Sequence, residues 1–152
     1  MNFSEFAKNK TVGYWFSVAI TVLFLVTGIT YLVGVNGNAV LDQYGVLNIV
    51  AVVGLFLGFG LSAVVMGLQA FNVIPSKWNI VPWLQGVCAL LAFCFFVLGA
   101  YYYVSVVMVG IDLIAYEGLF IVFVILFVLL LGLAIANIFL KQDKKVEVVD
   151  HE

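Results

Sequence analysis

Arginine is absent from this 152-residue chain, histidine occurs once, and only 9% of the residues are charged. An ordinary soluble domain carries about a quarter charged residues, so this composition excludes one. The shortage is also patterned. Four long apolar runs contain no Asp, Glu, Lys, Arg or His. Coupled transport relies on an intramembrane charge that changes partners, and these runs offer none. Four-helix multidrug exporters, which depend on a buried carboxylate, are set aside on the same ground.

The lone His151 stands one residue from the C-terminus, where a solvated side chain is expected rather than a catalytic or metal-binding one. No carboxylate pair lies in the runs to serve as acid and base. No His, Cys and carboxylate set is spaced to hold a metal or a haem. The expectation is therefore a protein that is not an enzyme, with no catalytic residues, no cofactor and no metal. Without a basic patch, nucleic acid is not an expected partner either.

Cysteine and proline are almost as scarce, at two each. Cys88 and Cys94 are six residues apart, which puts them on different faces of a helix and rules out a bond between them. No Cys-x-x-Cys pair exists for thiol redox chemistry, and both read as small apolar packing residues. Pro75 falls between two runs. Pro82 falls at the start of the third, where a helix tolerates proline because its first N–H groups are unpaired anyway.

What is present in abundance is hydrophobic sequence, at 66%. The runs cover about 11–33, 46–70, 81–108 and 119–140, and each meets the length of about 20 residues needed to cross a hydrocarbon core. Backbone polar groups inside lipid must be satisfied internally, so the runs are read as helices. Their short connections predict antiparallel neighbours. The fold expected is all-α: one four-helix transmembrane bundle over residues 1–152, with a tail at 141–152. The first run is too long for a signal-peptide core and is read as an uncleaved span.

All six lysines fall on one side of these runs. Lys8 and Lys10 precede the first, Lys77 separates the second from the third, and Lys141, Lys144 and Lys145 follow the fourth. The other two connections carry only Asp42, Asp112 and Glu117. Cytoplasmic segments collect positive charge, so both termini are expected in the cytoplasm, with a bacterial plasma membrane as the host. Trp15, Trp78 and Trp83 fall at the lysine side, whereas Tyr31, Tyr44, Tyr101, Tyr102, Tyr103 and Tyr116 fall near the other. Both sets read as interfacial belts. Within the tyrosine triplet, consecutive helical positions point in different directions.

Small and polar residues mark contact faces between helices in lipid. The first run aligns Gly13, Ser17, Thr21 and Gly28, and the third aligns Gln85, Ala89, Ala92, Phe96, Gly99 and Tyr103. The second holds Gly54, Gly58 and Ser62 at four-residue steps, a pattern for close helix packing or for contact with a partner. The fourth is apolar all round until Gly132, Ala134, Ala136 and Asn137, and its outer half is expected to be the most lipid-exposed part of the bundle. Ser17, Gln69, Gln85 and Asn137 all lie within about two turns of the lysine side at 1.5 Å per residue, and are the candidate polar cluster. Simple solvation by interfacial water is the alternative for them.

The partners expected are the lipid bilayer, together with another membrane protein or a second copy of the chain. The function expected is that of a non-enzymatic subunit or an accessory, immunity or regulatory protein acting on another membrane component. The alternative is an oligomeric passive channel or transporter for a small solute, with its pore between protomers because no polar track crosses a single one.

Overall fold

A computed structural model describes residues 10–36, 45–71, 80–109 and 118–142. These form four helices with no strand element among them: α1 (Val12–Asn36), α2 (Gly45–Ala70), α3 (Ile80–Val109) and α4 (Gly118–Ile138). Each is long and apolar enough to cross a membrane. Even the shortest, α4 with 21 residues, measures about 32 Å at the α-helical rise. Valine, isoleucine and phenylalanine are only moderate helix formers in water. In an apolar solvent the demand to pair every N–H and C=O overrides that preference. Pro82 sits in the first turn of α3, and α4 closes with tightened bonds from Phe139 N to Ala136 O and from Leu140 N to Asn137 O.

The helices close a ring. α1 packs on α2 and α4, α3 packs on the same two, and α1 meets α3 only thinly across the middle. The contact faces of α1, α2 and α3 are those marked by small and polar residues. Ser17 and Thr21, then Gly58 and Ser62, then Gln85, Ala89 and Ala92 are all buried.

As expected, α4 is the least buried of the four helices, but one stripe of it turns inward. Phe123 and Phe127, in the half expected to be most exposed, are each only 1% exposed, and they continue through Leu130, Ala134 and Asn137 as one buried stripe. Gly132 and Ala136 turn outward. A helix that is apolar on every side carries no contrast from which a face can be read, and here ring packing decides it.

That packing forms an aromatic core at the end away from Lys10. Phe96 stacks on Phe127 with centroids 4.4 Å apart, and Tyr31 sets its edge against Phe96, Phe123 and Phe127 at 5.7, 5.0 and 5.2 Å. The Tyr31 hydroxyl donates to Asn48 Oδ1 at 2.7 Å. Tyr31 and Tyr103 are thus core residues rather than members of an interfacial belt, each 3% exposed, whereas Tyr101 is exposed. At the opposite end Trp15 and Trp83 are exposed, and the Lys10 ammonium lies 5.1 Å from the centre of the Tyr14 ring. Lys8, Lys77, Lys144, Lys145, Asp42, Asp112, Glu117, Trp78, Tyr44, Tyr116, Pro75 and His151 lie outside the described residues, as does the side chain of Tyr102.

Candidate functional site

Three of the four residues expected to form a polar cluster meet at the Lys10 end. Ser17 comes from the second turn of α1, Gln85 from the second turn of α3 and Asn137 from the last turn of α4. All three are 0% exposed, which separates a closed cluster from side chains reaching toward interfacial water. Asn137 Nδ2 donates to Ser17 Oγ at 2.8 Å and to Gln85 Oε1 at 3.0 Å. Gln85 Nε2 donates to the Ser17 carbonyl at 2.8 Å and to Thr21 Oγ1 at 2.9 Å. Thr21 donates its own hydroxyl to the Ser17 carbonyl at 2.9 Å.

A further residue completes the group. Gln142, four positions beyond the end of α4, folds back over the bundle and is 7% exposed. Its Oε1 accepts from Ser17 Oγ at 2.9 Å. Its Nε2 donates to the Leu140 carbonyl at 3.3 Å and makes a longer 3.5 Å approach to Asn137 Oδ1. The backbone holds it there: Thr11 N donates to the Gln142 carbonyl at 3.2 Å, and the Thr11 hydroxyl donates to the Lys141 carbonyl. Gly13 makes room for this strap. A Cβ at that position would run into the Lys141 carbonyl, and it would lie 2.9 Å from Gln142 Nε2.

Every side-chain N–H and O–H of Ser17, Thr21, Gln85, Asn137 and Gln142 therefore has an acceptor within the group or on adjacent backbone. Unmet donors inside a protein cost about 1–3 kcal/mol each, so this closure makes the polar residues compatible with an apolar bundle. The network is built wholly of amides and hydroxyls and contains no ionisable side chain. It can fix three helices and a strap in register, and it offers no group that titrates near neutral pH.

Gln69, the fourth residue of the expected cluster, is buried near the end of α2 but takes no part in these bonds. Thr21 and Gln142 are the additions. Thr21 carried a visible signal, one helical turn after Ser17 on the same stripe. Gln142 carried almost none, because a single amide in a charged tail reads as surface.

The Gly54, Gly58, Ser62 stripe faces the protein's own helices. A Cβ on Gly54 would meet Ala92 of α3 at 3.4 Å, and one on Gly58 would lie 2.5 Å from the Phe24 ring of α1. Ser62 is 0% exposed, and its hydroxyl, like that of Thr27, is buried without a hydrogen-bond partner. Of the two uses expected for this stripe, this geometry is that of internal packing. A second set of small residues on α2 points the other way. Gly60, Ala63 and Gly67 share the outward face, and a Cβ added at Gly60 or Gly67 meets nothing within 4 Å.

Cys88 is buried and Cys94 exposed, and both are free thiols. Among the described residues no three His, Cys, Asp or Glu side chains come together. Compared with protein families, with curated proteins and with solved structures, the chain matches none.

Proposed function

We propose that this chain is a non-enzymatic integral membrane protein, a subunit or an accessory, immunity or regulatory component that works by contact with another membrane component. Its four helices cross a bacterial plasma membrane as antiparallel neighbours, with both termini in the cytoplasm. Contacts between helix ends support the antiparallel reading: Tyr31 near the end of α1 bonds Asn48 near the start of α2, and Ser17 near the start of α1 bonds Asn137 near the end of α4. The placement of the six lysines supports the orientation.

The observation that carries the contact reading is the outward face of α2. Gly60 and Gly67 leave open space there, and Ala63 and Gly67 stand at the small-x-x-x-small spacing that lets two helices approach closely. The polar residues at the Lys10 end, by contrast, are bonded to one another. On this reading the partner's helix packs against α2 rather than against the polar cluster.

Purification of the full chain in a mild detergent tests this. The chain is expected to come off with a second membrane protein or as a defined homo-oligomer. Gly60→Ile with Gly67→Ile should release the partner while the protomer stays folded, because a Cβ at either position meets nothing within 4 Å. Gly58→Ile serves as the contrast, since it strikes Phe24 and should unsettle the protomer itself. A complex that survives the paired Gly60 and Gly67 changes refutes the α2 contact. Solute flux through liposomes holding the pure homo-oligomer would refute the contact reading in favour of a channel.

A further inference from the structure

An apolar groove of about 250 Å3 opens between α3 and α4, bounded by Phe93 to Val104 on one helix and Phe120 to Val128 on the other. We propose that it holds one acyl chain of a phospholipid, drawn from the leaflet at the N-terminal end of α4. The inference rests on the reading that these helices span a bilayer, and three features of the groove select this occupant.

The first is chemistry. The wall is made of Phe, Val and Ala side chains with the ring of Tyr101, and it presents no polar surface. A ligand with a donor or acceptor at this depth would find nothing to pair with.

The second is shape. From Phe120 to Val128 the groove runs about 12 Å along α4 at 1.5 Å per residue. Its volume spread over that length leaves a cross-section on the order of a few tens of Å2, room for an extended polymethylene chain. A helix, about 10 Å or more across, does not enter such a slot. The volume also falls below the roughly 300–1,000 Å3 of sites that enclose a compact small molecule.

The third is depth. The groove begins within the first turn of α4 and ends near that helix's midpoint. It therefore spans about one leaflet, half of a hydrocarbon core roughly 30 Å thick. It also runs along the helix axes, as lipid chains do. Tyr101, 71% exposed at its wall, places an amphipathic ring toward the end where the glycerol region would lie.

The test uses the full chain in liposomes containing a phosphatidylcholine with a diazirine on one acyl chain. Label is mapped by mass spectrometry. Valines provide an internal comparison of matched chemistry. Val97 and Val128 in the groove are 47% and 53% exposed, while Val26 and Val33 on the outside of α1 are 46% and 67% exposed. The two sets lie at similar depth, because Tyr31 touches Phe127 and Gly34 abuts Phe123. The expected result is several-fold more label on Val97 and Val128. Ala100→Phe, which fills the slot, should bring the ratio to about one without lowering thermal stability. Equal labelling of the two sets in the unaltered chain overturns the acyl-chain site and leaves the spanning reading standing. Label on neither set overturns both.

Discussion

Asn137 Nδ2 lies 2.8 Å from Ser17 Oγ and donates to it, tying the last turn of α4 to the second turn of α1. The same amide also reaches Gln85 on α3, so one side chain joins three of the four helices. Ser17 passes the connection on to Gln142. The polar residues of the Lys10 end act together as a lock on helix register, and this assigns them a role in assembly.

If the Ser17–Asn137 bond is part of that lock, a double-mutant cycle should detect coupling. Ser17→Ala and Asn137→Ala should each destabilise the bundle, Asn137→Ala more because it strands acceptors on two helices. The coupling energy should fall between about 0.6 and 1.7 kcal/mol, the average and upper values found between membrane helices. Reversible unfolding in mixed micelles or bicelles supplies the four stabilities. Additive effects would mean that the two residues do not share a bond.

Two threonines on α1 make a sharper comparison. Thr21 both donates to the Ser17 carbonyl and accepts from Gln85, whereas the Thr27 hydroxyl is buried with no partner. Valine replaces the hydroxyl with a methyl of similar size. Thr21→Val should cost about 1–2 kcal/mol, because it leaves a Gln85 N–H unmet. Thr27→Val should be neutral or slightly stabilising, since an unpaired hydroxyl is removed. The same unfolding assay decides, and equal losses at both sites would contradict the bonding pattern.

The strap that carries Gln142 predicts a proteolytic pattern. The Lys141 and Gln142 carbonyls are held by Thr11, so the peptide bond after Lys141 should resist trypsin in the folded protein. Gly13→Ala introduces a Cβ that collides with the Lys141 carbonyl and should expose that bond. Limited digestion with mass analysis is expected to show a several-fold rise in cleavage after Lys141. Unchanged cleavage would mean that the strap does not depend on Gly13.

Much of this bundle was legible because long uncharged apolar sequence is strongly constrained. Four helices had to follow from four uncharged runs, and their limits fell within three residues of the expected ones, as where α1 ends at Asn36 rather than 33. Ser17, Gln85 and Asn137 were findable because a polar residue in such a run must turn inward, and depth along the helix then says which ones meet. Gln69 satisfied the same depth rule but sits on α2, the helix the network does not reach. Depth alone gives no angular position around the ring. The inward turn of Phe123 and Phe127 was hidden because every neighbour on α4 is equally apolar. Both sets on α2 are small residues within one apolar run, at four-residue steps for Gly54, Gly58 and Ser62 and at steps of three and four for Gly60, Ala63 and Gly67. Only the ring geometry separates Gly58, set against Phe24, from Gly60, with open space before it.

On the proposed function, this protein acts through the outward face of α2. Photo-crosslinking within the native membrane tests it most directly, with benzoylphenylalanine placed at Leu57 or Val64, which flank Gly60 on that face, and at Val26 on the outside of α1 as the reference. All three positions are exposed, at 52%, 59% and 46%. The expected result is a discrete protein adduct of constant mass from Leu57 and Val64, lost when Gly60 and Gly67 are both isoleucine, and none from Val26. Adducts to lipid alone at the α2 positions, or the same protein adduct from Val26, would contradict it.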